Sequence, residues 1–319
     1  MAVYTDVAPD ELARLLADYD LGPPEQFEPI AEGIENSNFL LVTGRGRFIL
    51  TLYEKRVRSG DLPFFLGLLD HLAARGLACA QPVRTRAGLK WVMFKDRPAA
   101  ILTCLEGASL RHPDAGHCAE AGAALARLHA LGADFPLRRA NTLSLAGWHA
   151  LARPLLDRAD AVEPGLGTLI RTRLAALDAA WPHNLASGVI HADLFPDNVL
   201  FVGSRISGLI DFYFACNDAF AYDLAVMLNA WCFAPDGAFD RARGRALLAA
   251  YGAGRPLTDA EIASLPVLAQ GAALRFLLTR LADWLDHDAA GSVRQKDPRE
   301  FARHLRFHAD VRSAAEYGA

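Results

Sequence analysis

His191-Ala192-Asp193-Leu194-Phe195-Pro196-Asp197-Asn198 lies between the apolar runs Val189 to His191 and Val199 to Val202, and the next such run, Gly208 to Asp211, closes as Leu209-Ile210-Asp211-Phe212. Short β-rich runs on either side of a polar, proline-containing stretch read as strand, loop, strand, with a further strand ending at Asp211. The loop carries a carboxylate at Asp193 and an amide at Asn198 in the order H-x-D-x-x-x-x-N, and the last strand adds a second carboxylate. Phosphoryl transfer asks for such a set: a carboxylate that orients the attacking hydroxyl and takes its proton, and hard oxygen ligands for a magnesium ion on the phosphates. Asp193 fits the first role, Asn198 and Asp211 the second. His191 would orient the start of the loop without meeting the reacting atoms. An isolated His-x-Asp, or an Asp and Asn sharing a loop, is ordinary turn chemistry. The joint pattern, with strands on both sides and Asp-Phe at short range, is what points to a kinase-like loop.

Working outward, the segment before this loop is helical and the segment after it is too. Residues 113 to 131 form an Ala-rich helix that starts at a proline, and 145 to 157 and 165 to 181 continue the pattern. Beyond the loop, helices are expected over 219 to 232, 238 to 252, 258 to 286 and 298 to 315. The first hundred residues differ. A short amphipathic helix over 9 to 20, with Leu12, Leu15 and Leu16 on one face, leads into strands Phe27 to Ile30, Phe39 to Val42 and Arg47 to Tyr53. The Thr43-Gly44-Arg45-Gly46 turn marks a hairpin between the last two. A helix over Leu62 to Ala74, stopped by Gly76, precedes strands near Leu89 to Phe94 and Ala99 to Cys104. The character changes after Glu106-Gly107. The expected architecture is α+β: a β-rich lobe, residues 1–103, followed by a mainly helical lobe, residues 104–319.

Composition bounds the function. The 319 residues carry 33 Lys and Arg against 37 Asp and Glu, a net charge of −4, with both signs mixed along the chain. Such a chain offers no electrostatic grip on a polyanion, so a nucleic-acid partner is not expected. Five cysteines, Cys79, Cys104, Cys118, Cys216 and Cys232, include no CxxC pair and read as buried free thiols in a reducing compartment. The opening MAVYTDVAPDELARLL has no basic region followed by an apolar one, and no run approaches the roughly 18 apolar residues of a membrane span. A soluble cytoplasmic protein with no membrane partner is expected. Oligomeric state is open. Only four of the basic residues are lysines: Lys55, Lys90, Lys95 and Lys296.

The loop resembles the catalytic loop of the protein-kinase-like fold, and Ile210-Asp211-Phe212 resembles its metal-binding Asp motif. With Ala192 where protein kinases carry Arg, His191-Ala192-Asp193 is similar to the aminoglycoside phosphotransferase and choline kinase group. Gly33-Ile34-Glu35-Asn36-Ser37-Asn38-Phe39, Phe48 to Glu54, and Leu209 to Phe214 are, within that group, most similar to the homoserine kinases. The resemblance runs from about residue 3 to past 310. It implies a two-lobed fold, ATP and Mg²⁺, and transfer of the γ-phosphoryl group to the hydroxyl of L-homoserine, a step of threonine biosynthesis. It further implies Asp193 as base, Asn198 and Asp211 as metal ligands, and Gly33 to Asn38 as the loop over the phosphates, including Gly33, Asn36, Ser37 and Asn38. Thr103, Cys104 and Leu105 become the hinge that offers backbone groups to adenine. Asp223, in Ala221-Tyr222-Asp223-Leu224, resembles the aspartate that braces the loop and opens a helix.

One departure stands out. Where the superfamily has a lysine or arginine on its third strand, this chain has Thr51, and Lys55 is the only lysine in the first 89 residues. Lys55, Arg56, or metal and backbone alone would hold the phosphates. The helix expected to supply a partner glutamate, 61 to 75, contains none. For a small amino-acid substrate, Asp218, Asn217 and Tyr213 could meet the ammonium, and Arg275 or Arg280 the carboxylate. His129 reads as a core contact of its helix. Choline or ethanolamine is the alternative acceptor, since Phe212, Tyr213, Phe214, Tyr222, Trp231 and Trp284 could form an aromatic cage. A polycationic aminoglycoside suits the chain less: residues 265 to 319 hold eight basic against seven acidic side chains. A catalytically silent nucleotide-binding protein would not need Asp193, Asn198 and Asp211 together.

Overall fold

The turn Thr43 to Gly46 reverses the chain because Gly46 takes φ +131, a conformation closed to residues with a Cβ. In the computed structural model, which describes residues 5–30, 36–54, 57–286 and 295–319, this turn joins β2 (Ser37–Thr43) to β3 (Gly46–Leu52). With β1 (Pro24–Pro29), β4 (Val92–Phe94) and β5 (Arg97–Thr103) they form an antiparallel sheet in the order β1-β2-β3-β5-β4. Every second residue of β2 is buried, with Phe39 and Leu41 on the inner face beside Phe48, Leu50 and Ile101. The helix α1 (Pro9–Leu16) lays Leu12, Leu15 and Leu16 on the same core. The helix α2 (Leu62–Ala74) is buried nearly all round and stops at Gly76, φ +82.

By Cα proximity the chain divides into two units, Met1–Gly107 with Ser207–Tyr213, and Ala108–Ile206 with Phe214–Ala319. The second unit is helical. It contains α3 (Ala115–Leu131), α4 (Leu145–Ala152), α5 (Leu166–Ala180), α6 (Phe220–Trp231), α7 (Arg241–Gly254), α8 (Asp259–Leu285) and α9 (Pro298–Asp310). Between α5 and α6 come β6 (Ser187–Ile190), β7 (Val199–Val202), β8 (Arg205–Leu209) and β9 (Cys216–Ala219), with β6 and β9 paired antiparallel so that Val189 faces Asn217. α3 and α7 touch at Gly122, where a Cβ would lie 2.4 Å from the Leu247 carbonyl oxygen.

The differences from expectation are local. Pro113 does not open α3; Asp114 does, accepting the His117 N–H at 2.9 Å. The expected helix over 145 to 157 ends at Ala152 and continues as turns, and the last helix ends at Asp310. The strand placed over Gly208 to Asp211 starts earlier, at Arg205, and releases the chain at Leu209. β9 has no counterpart in the sequence reading, because Cys216-Asn217-Asp218-Ala219 shows no apolar alternation and is a strand only by virtue of β6. α8 is long and apolar enough to cross a membrane by length and composition, contrary to the reading that no run approached that; its Leu265, Leu268, Leu274, Leu277 and Leu278 are buried inside the second unit. All five cysteines are free thiols, four buried and Cys104 half-buried.

Candidate active site

β6 delivers the chain into the loop at His191, and Ala192 then turns it with φ +64. A left-handed alanine costs about 1 kcal/mol or more, so the surroundings must hold it there. They hold it from both sides. The Asp223 carboxylate on α6 accepts the His191 N–H at 2.7 Å and the Ala192 N–H at 2.8 Å. Arg275 on α8 donates to the Ala192 carbonyl oxygen. The reversal presents Asp193, whose side chain keeps 18% exposure while its loop neighbours His191, Ala192 and Leu194 are buried.

Several contacts then fix Asp193. Its N–H donates to His191 Nδ1 at 3.3 Å, and the Arg275 guanidinium stands 3.7 Å from its carboxylate. Asn198 Nδ2 donates to the Asp193 carbonyl at 2.8 Å and to its carboxylate at 3.3 Å. Since the amide nitrogen is taken, the amide oxygen of Asn198 is the atom left to offer a hard cation. Trp231 Nε1 ties down the Leu194 carbonyl at 2.8 Å, and the Phe195 ring packs edge-on against Phe276 at 4.8 Å. A partly exposed carboxylate on a loop braced by buried partners can accept a proton from a hydroxyl at a defined place.

Asp223 is itself set by a relay. His129 on α3 lies 3.1 Å from it through Nε2 and 2.8 Å from the Tyr251 hydroxyl through Nδ1; Arg255 donates to that hydroxyl and to Glu261. Tyr251 accepts from Arg255, so its own proton goes to Nδ1, and Nε2–H goes to Asp223. Burial pushes His129 below the ordinary histidine value and leaves it neutral. Burial opposes the charge on Asp223, but the His129 hydrogen bond and the His191 N–H outweigh it and hold this carboxyl below its usual range. His129, read from sequence as a core contact, is thus a buried member of the loop brace. Asp223 does not cap α6 either, since the cap is Ala219; it sits in the first turn and spends its carboxylate on the loop.

In the first unit, Asp211 follows β8, exposed and with φ +63, while Phe212 beside it is buried. The Tyr213 hydroxyl meets that of Tyr53 at 3.0 Å and its ring stands edge-on to Phe65, with burial raising its pKa above the ordinary tyrosine value. Of the expected phosphate loop, Gly33 to Asn38, the described residues are Asn36, Ser37 and Asn38; β2 begins at Ser37, and these three side chains are occupied at the sheet. Ser37 donates to Glu54 at 2.6 Å, Asn38 accepts from Thr51 at 2.8 Å, and Asn36 accepts the Glu54 N–H at 3.4 Å. Thr51 therefore fills the lysine position with a buried hydrogen bond to the neighbouring strand. Glu54 also pairs with Arg97 on β5 at 3.0 Å. Thr103 exchanges hydrogen bonds with Gln81, and the Leu105 side chain covers Gly208, where a Cβ would lie 2.3 Å from it. Gly33, Lys55 and Arg56 lie outside the described residues.

The residues expected to meet an acceptor are in the second unit apart from Tyr213 and, for the aromatic-cage alternative, Phe212. Asp218 accepts from Asn141 and from the Ala219 N–H, both at 2.7 Å, and Asn217 accepts the Arg139 N–H at 2.9 Å. Arg280 is paired with Glu300 at 2.7 Å. Arg275, only 2% exposed, is committed to the loop, a partnership no local spacing could reveal across 83 residues. Among the described residues no cluster of three or more His, Cys, Asp or Glu could cage a metal. Single oxygen donors such as Asn198 and Asp211 suit magnesium, which is held by one or two protein oxygens together with substrate phosphates.

A model of the phosphotransferase enzyme family matches residues 26–257. Over 318 residues the chain is 59% identical to a homoserine kinase of Xanthobacter autotrophicus and 59% to one of Methylobacterium radiotolerans, in each case covering 100% of this chain and 99% of the relative. Among solved structures, an amicoumacin kinase in complex with AMP-PNP and Ca²⁺ has a TM-score of 0.72 at 17% identity, covering 95% of this chain and 93% of that one. A spectinomycin phosphotransferase has a TM-score of 0.71 at 12% identity, covering 98% of both chains. These two share the protein-kinase-like fold, a β-sheet lobe followed by a helical one, that the loop led us to expect. Matched over most of its length by the family and end to end by the relatives, the chain belongs to the phosphotransferase enzyme family.

Proposed function

We propose that this protein is a cytoplasmic kinase that transfers the γ-phosphoryl group of ATP to the hydroxyl of L-homoserine. The observation that carries the reading is Asp193, a partly exposed carboxylate on a loop fixed by Asp223, Asn198 and Arg275, in a chain 59% identical along its length to homoserine kinases. Asp193 orients the acceptor hydroxyl and takes its proton as the oxygen attacks the γ-phosphorus; the bond to the β-phosphate oxygen breaks and ADP leaves. The hydroxyl oxygen becomes the phosphate ester of homoserine, an intermediate on the way to threonine. Residues 1–103 bind the nucleotide, with Gly33 to Asn38 over the phosphates, Thr103 to Leu105 beside adenine, and Lys55 as the available cation. Residues 104–319 carry the base and the acceptor pocket. Asn198 and Asp211 offer the oxygens for Mg²⁺, which, when bound, neutralises charge on the triphosphate.

An ADP-release assay across homoserine, choline, ethanolamine and kanamycin tests this. Turnover is expected with homoserine and at most weakly with the others. Turnover with choline and none with homoserine would overturn the acceptor while leaving the kinase, and ATP binding without turnover of any acceptor would favour a silent nucleotide-binding protein.

A further inference from the structure

The two arginines that the sequence offered for an acceptor carboxylate are occupied, Arg275 on the loop and Arg280 on Glu300. A different set of cations surrounds a cavity of about 350 Å³ within the second unit. Its wall includes Pro196, from the same loop as Asp193, and Trp231, whose indole holds the Leu194 carbonyl, so the cavity adjoins the loop that carries the proposed base. Arg111, Arg243 and Arg303 line it, and among the described residues the one acid there, Glu300, is already paired with Arg280. The size suits a small ligand, and the surplus of guanidinium groups suits an anion.

The three arginines are not equivalent. Arg243 is tied to Asp240 at 3.2 Å and to the Phe233 carbonyl, whereas Arg111 and Arg303 are exposed. Arg303 lies on the Gly237 turn, φ +87, where a Cβ would come within 3.3 Å of its Nε. Beside it His304 is buried, stacked on Phe233 with ring centroids 3.6 Å apart, and its Nδ1 has no hydrogen-bond partner among the described residues. Burial first, then the charges of Arg280 and Arg303, push its pKa down to about 3, so this imidazole is neutral.

We propose that Arg111 and Arg303 in this cavity bind the α-carboxylate of the amino-acid acceptor. This rests on the homoserine reading and supplies its selectivity: an acceptor with the same hydroxyl and ammonium but no carboxylate leaves two guanidinium groups without their partner.

The test compares homoserine with aminopropanol, its decarboxylated analogue, in the wild-type enzyme and in Arg303→Ala, Arg303→Lys and Arg111→Ala, with thermal melts to show that each variant is folded. Wild type is expected to prefer homoserine. In each Ala variant kcat/KM for homoserine should fall by roughly ten- to a hundredfold, chiefly through KM, and far less for aminopropanol, so that the preference collapses. Arg303→Lys should recover part of it. Equal losses on both acceptors, or unchanged homoserine kinetics, would overturn the carboxylate site while homoserine turnover by wild type still upheld the kinase reading. Inorganic phosphate as a probe separates the other source of a small anion: phosphate binding that disappears in Arg303→Ala while the acceptor preference stays would make the cavity a phosphate site and overturn the proposal. Failure of the wild-type enzyme to phosphorylate homoserine would remove the reading and this inference with it.

Discussion

Asp223 Oδ1 accepts the N–H of Ala192 at 2.8 Å across 31 residues of chain, and through that bond a helix sets the left-handed turn that presents Asp193. Asp223→Ala would strand two buried backbone N–H groups and the His129 Nε2–H. Each unsatisfied buried donor costs about 1–3 kcal/mol, so a total loss of at least roughly 3 kcal/mol is expected. Denaturant unfolding monitored by tryptophan fluorescence checks this, and a change below about 1 kcal/mol would show that the carboxylate is not the brace.

Arg275 reaches the same turn from α8, donating to the Ala192 carbonyl and standing 3.7 Å from Asp193. In Arg275→Met the side chain still packs beside Phe214 and Phe276, but the loop loses a donor and Asp193 its neighbouring cation. A kcat lower by roughly ten- to a hundredfold, with the ATP KM nearly unchanged and partial recovery in Arg275→Lys, is the expected pattern. A fully active Met variant would limit Arg275 to packing.

The loop was legible because its chemistry is local. His191, Asp193, Asn198 and the Asp-Phe after the next strand stand in order, between runs whose β character is plain. The hairpin at Gly46 and the helix from Leu62 to Ala74 were legible for the same reason, a turn residue or a period that a short window contains. What holds the loop was not. The bonds from Ala192 to Asp223 and Arg275 join elements far apart in sequence, His129 shows the helical spacing of any core residue, and β9 exists through pairing alone. Thr51 could be seen as a departure from the lysine pattern, but its hydrogen bond to Asn38 depends on the register of β2 against β3.

Acid should unfold the protein earlier than its carboxylates alone would require. His129, His304 and His308 are all buried with pKa values depressed by burial, to about 3 for His304. An unfolded histidine titrates near pH 6.5, so below that the unfolded chain takes up protons that the folded one refuses. Stability from these groups is complete above about pH 6.5 and falls as pH drops, for His304 by up to about 1.4 kcal/mol per pH unit until its folded pKa of about 3 is approached. Asp223, whose pKa is depressed, adds its loss only below the ordinary carboxyl value of about 4. Unfolding free energies measured between about pH 7 and about pH 5 should fall with pH, and less steeply in His304→Phe than in wild type. A flat profile over that interval would mean that the histidines are protonated in the folded protein.

In the proposed reaction Asp193 delivers the hydroxyl of homoserine to the γ-phosphorus of ATP. Phosphorus NMR of wild-type and Asp193→Asn enzyme with Mg-ATP and homoserine tests it directly. Wild type should give a phosphomonoester resonance split by the adjoining methylene protons, growing in step with ADP. In Asp193→Asn that resonance should grow roughly a hundredfold or more slowly, with Mg-ATP still bound. Inorganic phosphate in place of the ester, or undiminished ester formation by Asp193→Asn, would contradict it.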